Sequence, residues 1–120
     1  MKVKLSKTSF LKSELDLVRN VLKSGWLTHG KYNIEFEKLF KKFTKCRYAL
    51  TLNSCTSALE LAIKCLKINK EVIVPSFTWV SSANAIINSG AKPVFCDSDL
   101  KTRNVTLENI KPLINKKTQA

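Results

Sequence analysis

The chain has one histidine, three glycines and three prolines, and what is scarce or missing narrows the functions open to it. Cys46, Cys55, Cys65 and Cys96 are never in C-x-x-C spacing, and His29 lies far from all of them along the chain. No zinc site is therefore expected, and the thiols read as free groups in a reducing, cytoplasmic setting. No apolar run approaches the length of a membrane span, and MKVKLSKTSFLKSEL lacks the apolar core of a secretory signal. Neither a Walker sequence nor G-x-G-x-x-G is present, so an ordinary nucleotide fold is not indicated. Internal repeats and low-complexity tracts are absent too.

What remains is an ordinary globular composition of 120 residues, 44% hydrophobic and 25% charged, enough for one small domain. The charge is lopsided: 21 basic against 9 acidic residues give +12. Such a balance raises nucleic acid as a partner. However, the lysines are scattered over every segment, with only Arg19, Arg47 and Arg103 beside them. A phosphate-tracking face requires clustering, so a solvated lysine-rich surface is the expectation and nucleic acid an unlikely partner.

Periodicity supplies the elements. Ser13 and Asp16 read as a capping box, after which Leu15, Val18 and Leu22 recur at helical spacing until Gly25. The loop GWLTHGK follows. A second helix is predicted from about Asn33, with Phe36, Leu39, Phe40 and Phe43 as a core stripe. Strands at 48–53, 71–75 and 93–97 then alternate with helices at about 56–67, 79–89 and 107–115. That alternation predicts an α/β fold with a mostly parallel sheet and flanking helices. The closing KKTQA reads as the approach to a further strand, so the sequence is expected to be part of a longer chain.

Two stretches ask for more than packing. TLNSCTSALEL passes from a strand pattern to a helix through Asn53, Ser54, Cys55 and Thr56. At such a junction the first helical amides have no internal partners and the dipole favours an anion, while small side chains allow a phosphate close approach. Ser54, Thr56 and Ser57 add hydroxyl donors. The competing role, the commoner one for these residues, is a helix cap. The second stretch, PSFTWVSSANAI, follows the next strand at the end where open α/β sheets bind ligands. Trp79 there offers a face for stacking a ring, or packs like most tryptophans.

Taken in order, GWLTHGKYNIEFEKLF, ALTLNSCTSALELAI and EVIVPSFTWVSSANAIINSGAKPVFCDSD resemble the N-terminal part of the DegT/DnrJ/EryC1/StrS family of sugar-nucleotide aminotransferases, from about Leu11 to Ala120. The resemblance implies the aspartate-aminotransferase type of fold (fold type I), pyridoxal 5'-phosphate (PLP) as cofactor, and transfer of an amino group from an amino acid, usually glutamate, to a nucleotide-linked keto-sugar. It implies Ser54, Cys55, Thr56 and Ser57 around the cofactor phosphate and Trp79 against its ring. It also implies a substrate-facing loop with Trp26, Thr28, His29 and Gly30, and a homodimer. His29 itself reads as an exposed loop residue rather than a base, since no acid is evident beside it in the sequence.

On that reading residues 1–32 form an N-terminal helix and active-site loop, and residues 33–120 an incomplete N-terminal part of the PLP-binding large domain. LKINKEV stands where the family has a glycine-rich run, a change expected to affect a surface turn. The lysine that bonds covalently to the cofactor, and the aspartate partner of its ring nitrogen, are expected beyond residue 120. The 120 residues alone are thus expected to hold no catalytic residue and to be inactive. Two alternatives stay open: a non-catalytic relative that keeps the cofactor pocket for regulation, and a basic nucleic-acid-binding module.

Overall fold

The computed structural model describes residues 6–120, and the chain forms two compact units, one running to Thr51 and one from Leu52 to Ala120. Their elements are α1 (Lys12–Ser24) and α2 (Lys31–Thr44), then α3 (Cys55–Cys65), β1 (Glu71–Pro75), α4 (Val80–Asn88), β2 (Lys92–Cys96) and α5 (Leu107–Ile110), which runs into a 3-10 turn at Lys111–Leu113.

In the first unit the expected cap of α1 is displaced. Ser13 lies inside the helix, Asp16 pairs with Arg19 at 2.6 Å, and the Glu14 carboxylate accepts the Leu11 N–H at 2.7 Å. An anionic acceptor at the helix start satisfies an orphan amide and the dipole together, which Ser13 one residue further in could not do. Gly25 ends the helix in the left-handed region, φ 70°, its N–H donating to Leu22 O at 3.2 Å.

Helix α2 starts two residues earlier than predicted, because the Asn33 side chain reaches back to accept the Gly30 N–H at 3.1 Å. Its aromatic stripe is not core: Phe36, Leu39, Phe40 and Phe43 are all exposed, Phe43 at 86%. No residue of α1 or α2 is buried. Phe36 and Phe40 lie side by side, with ring centroids 5.9 Å apart. The periodicity predicted the helix and its apolar face correctly, but burial requires a second surface, and none covers that face among the described residues.

The strand expected at 48–53 is likewise missing. A strand exists through its ladder, and these residues have no backbone partner among the described residues. Thr51 instead gives its N–H to the Glu37 carboxylate at 2.8 Å.

The second unit carries the predicted parallel pairing. EVIVP alternates inward Val72 and Val74 with half-buried neighbours. Strand β2 lies parallel to β1 in the register Val72↔Pro93 and Val74↔Phe95, with α4 as the crossover. Val72, Val74, Ile86 and Ala91 form the core, with Ile63 of α3 and Ile68 packed on it. Each large aliphatic side chain buried there stabilises the fold by about 1.5–3 kcal/mol.

Residues 117–120 run along the other edge of β1, through Glu71 N to Lys117 O, Gln119 N to Glu71 O and Ile73 N to Ala120 O at 2.8–3.1 Å. The strand-like approach read in KKTQA is therefore paired. Lys92 N and Cys96 O bond toward the β1 side, so Pro93, which has no N–H, falls on the outer edge of β2.

The helix predicted to reach residue 115 stops early. Pro112 removes an amide and crowds the carbonyl four residues back, so α5 lasts one turn before the 3-10 segment. In LKINKEV, Lys67 takes φ 55°, a left-handed conformation that glycine adopts freely. The Gln119 side chain accepts the Asn69 and Lys70 amides that follow, at 2.9 and 2.8 Å.

Candidate functional site

Within the second unit the four small residues converge at the first turn of α3. Ser54 is the N-cap, in extended conformation, and its Oγ accepts the Ser57 N–H at 3.1 Å. Its own hydroxyl bonds Ser57 Oγ at 2.9 Å. The two readings of Ser54 thus stop competing. One face of the hydroxyl caps the helix, while the bond to Ser57 leaves the Ser57 hydroxyl proton free to donate outward.

By helix geometry the Cys55 and Thr56 amides have no carbonyl one turn back, and no acidic residue lies in this turn. Amides, a hydroxyl, a positive helix end and the absence of any carboxylate form a donor set that suits a phosphate. A phosphorylated cofactor of the kind expected from the sequence fits it. Cys55 contributes its backbone and little else, since its thiol is simply an exposed free group.

Trp79 is the N-cap of α4, and Ser82 N donates to its carbonyl at 3.0 Å. The side chain is 77% exposed. A tryptophan packed for stability would be largely covered, so packing within this unit does not account for it. Topology sets the two features on one side. Helix α4 leaves the carboxyl end of β1, and α3 hands over to the amino end of β1 within residues 66–70 while packing Ile63 on the shared core. The first turn of α3 therefore points toward the carboxyl end of the strands, where open sheets hold ligands.

In the first unit, Trp26, Thr28 and Gly30 line a cavity of about 440 Å³ with Asn20, Tyr32 and Asn33. The loop is held by its own bonds. The Trp26 indole Nε1–H donates to His29 O at 2.9 Å, and the ring lies so close to Gly30 that a Cβ there would sit 2.8 Å from Trp26 Cδ1. His29 is absent from this lining. Its Nε2 turns to Glu37 Oε1, 3.3 Å away.

An acid therefore does stand beside His29, contrary to the sequence reading. Glu37 follows it by eight residues, across the start of α2, so linear proximity hid it. The available signal was the pair Asn33 and Glu37, one turn apart on the same helix face. The same Glu37 oxygen accepts the Thr51 N–H at 2.8 Å and the Thr51 hydroxyl at 2.7 Å. These bonds, the Thr51 amide foremost, hold the Glu37 carboxyl below the ordinary glutamate range despite some desolvation, with His29 adding to the effect.

Comparison with known proteins gives one consistent result. The model of the DegT/DnrJ/EryC1/StrS aminotransferase family matches residues 9–120. The GDP-perosamine synthase of Vibrio cholerae is 41% identical over 111 residues, covering 90% of this chain and 30% of that protein. A Streptococcus pneumoniae protein described as a sugar aminotransferase, solved in its PLP form, superposes with a TM-score of 0.91 at 31% identity, over 99% of this chain and 31% of that one. The GDP-4-keto-6-deoxy-D-mannose-3-dehydratase of E. coli, with bound hydrated PLP, gives 0.85 at 27% identity, over 96% and 32%. The chain thus spans about a third of the length of the proteins it matches.

Proposed function

Because this chain belongs to the DegT/DnrJ/EryC1/StrS aminotransferase family, we propose that it supplies the amino-terminal share of a PLP site in a longer enzyme that moves an amino group from an amino acid, glutamate in our reading, onto a nucleotide-linked keto-sugar. The observation that carries this is the first turn of α3, where a self-capped Ser54–Ser57 turn presents unpartnered amides with no acidic residue in that turn.

In this reading the Cys55 and Thr56 amides and the Thr56 and Ser57 hydroxyls hold the cofactor phosphate. Ser54 shapes the turn by capping it. Trp79 lays its exposed face on the cofactor ring and excludes water from that side. Trp26, Thr28, His29 and Gly30 form a loop that faces the sugar nucleotide. The bound cofactor supplies an electron sink for charge developing beside the amino nitrogen. Residues 1–32 act as helix and active-site loop and residues 33–120 as part of the PLP-binding large domain, a division by role distinct from the two compact units. The proton-shuttling lysine and the aspartate on the ring nitrogen belong to sequence beyond residue 120, so these 120 residues hold no catalytic residue and are inactive alone.

The same reading makes the full-length enzyme a cytoplasmic homodimer in amino-sugar or cell-surface polysaccharide biosynthesis. Among the described residues no helix is long and apolar enough to cross a membrane. The likeness to the V. cholerae synthase supports a nucleotide-linked sugar as substrate. The likeness to the E. coli dehydratase favours a second reading, PLP-dependent removal of a sugar hydroxyl.

The test is to incubate full-length protein with PLP, glutamate and a nucleotide-linked keto-sugar, and to follow 2-oxoglutarate and the sugar mass. Stoichiometric 2-oxoglutarate with an amino sugar supports transamination. Loss of water without gain of nitrogen supports dehydration, and no cofactor binding removes both.

A further inference from the structure

In the first unit, five groups close a polar ring. Gly30 N–H donates to Asn33 Oδ1 at 3.1 Å, and Asn33 Nδ2–H donates to Thr51 Oγ1 at 3.4 Å. Thr51 donates its hydroxyl and amide to Glu37 Oε1 at 2.7 and 2.8 Å, and that oxygen lies 3.3 Å from His29 Nε2. Two adjacent loop residues, His29 and Gly30, are therefore gripped by two side chains one turn apart on α2, and both side chains also grip Thr51. Glu37 is only 15% exposed, whereas His29 is 50% exposed.

A largely covered carboxylate that spends one oxygen on three donors is committed to holding those donors in place. No other acidic side chain hydrogen-bonds the loop among the described residues. Trp26 depends on the same anchor indirectly, because its indole donates to the carbonyl of His29.

We propose that Glu37 is a positioning residue: with Asn33 it fixes the shape of the 25–30 loop by fastening His29 to Thr51, and so keeps Trp26, Thr28 and Gly30 arranged around their cavity. The proposal deepens the reading of this loop as substrate-facing and rests on that reading for its kinetic consequence. Its structural part stands apart from it. A residue that preorganises a binding loop lowers the ordering cost of binding. Its removal therefore raises KM more than it lowers kcat.

The experiment compares full-length wild type with Glu37→Ala, Glu37→Gln and His29→Ala, by hydrogen–deuterium exchange over residues 25–30 and 48–53 and by steady-state kinetics. Glu37→Ala is expected to lose protection in both segments together and to raise KM for the nucleotide sugar roughly tenfold, with kcat falling much less. Glu37→Gln keeps an oxygen acceptor for Thr51, so the 48–53 segment stays protected while the loop loosens. His29→Ala loosens the loop alone. If Glu37→Ala leaves exchange over 25–30 unchanged, the proposal is overturned. If it loosens the loop with no rise in KM, the positioning role is refuted even though the contact is real. If wild type turns over no sugar nucleotide, the aminotransferase reading fails, and the exchange data alone decide whether Glu37 fastens the loop.

Discussion

Replacing Trp79 with alanine separates stability from cofactor binding more cleanly than any other single change in the chain. The side chain is 77% exposed, so about a quarter of its surface is in contact. A tryptophan covers about 200 Å² when buried, which leaves roughly 50 Å² at stake here. At ~25 cal/mol per Å² the substitution costs about 1 kcal/mol of folding free energy. Stacking a planar ring on an exposed aromatic contributes about 1–3 kcal/mol by alanine substitution, equivalent to roughly 5- to 150-fold in affinity. Trp79→Ala should therefore shift the thermal midpoint by a few degrees at most, yet weaken cofactor binding by one to two decades. The assay is titration of the apo full-length protein with pyridoxamine 5'-phosphate, which forms no covalent bond to a lysine and so isolates the contribution of the ring and phosphate contacts. Unchanged affinity would refute the stacking role. A large fall in midpoint would mean that the side chain is covered in the whole enzyme and acts through packing.

Three further outcomes follow from local geometry. Lys67→Gly should stabilise the second unit by roughly 1 kcal/mol in chemical denaturation, because φ 55° strains a residue with a Cβ; a destabilised variant would show that the Lys67 side chain matters more than its backbone. Gly30→Ala should displace the Trp26 indole through the 2.8 Å clash and alter its fluorescence, with no backbone penalty, since φ of −159° is open to any residue; an unchanged spectrum would contradict the close packing. Glu71 is held below the ordinary glutamate range chiefly by the Asn115 side chain, with Lys92 assisting. A depressed folded value adds stability above the unfolded value, and that contribution is lost as pH falls through the folded one. Thermal midpoints below the ordinary carboxylate range should hence fall less steeply in Glu71→Gln than in wild type, and parallel curves would count against the linkage.

The parts legible in the sequence were those set by local chemistry. EVIVP suits a covered strand, and its boundaries are as predicted, because a β-branched apolar run and a terminal proline act on the segment itself. Ser54 and Ser57 announced a helix start for the same reason. What failed depended on surfaces or partners remote along the chain. The stripe from Phe36 to Phe43 has helical periodicity, yet periodicity says which face is apolar and nothing about what covers it. Residues 48–53 have strand-forming side chains, but no ladder forms on them among the described residues, and Thr51 bonds a carboxylate instead. Pro112 is a local signal too, and it cuts the last helix short. Of the candidate site, the small hydroxyl residues that open α3 and the aromatic that precedes α4 were readable as residue types. The association of His29 with Glu37 was not, because it forms only once the turn at Gly30 folds the loop back over α2.

The proline at position 93 has a consequence for how the sheet can meet other chains. With no donor at that outward position, β2 offers an incomplete template, and a foreign strand laid there would leave an acceptor unmatched. The opposite side of β1 is already occupied by residues 117–120. The β2 flank is therefore the less favourable side for edge-to-edge pairing.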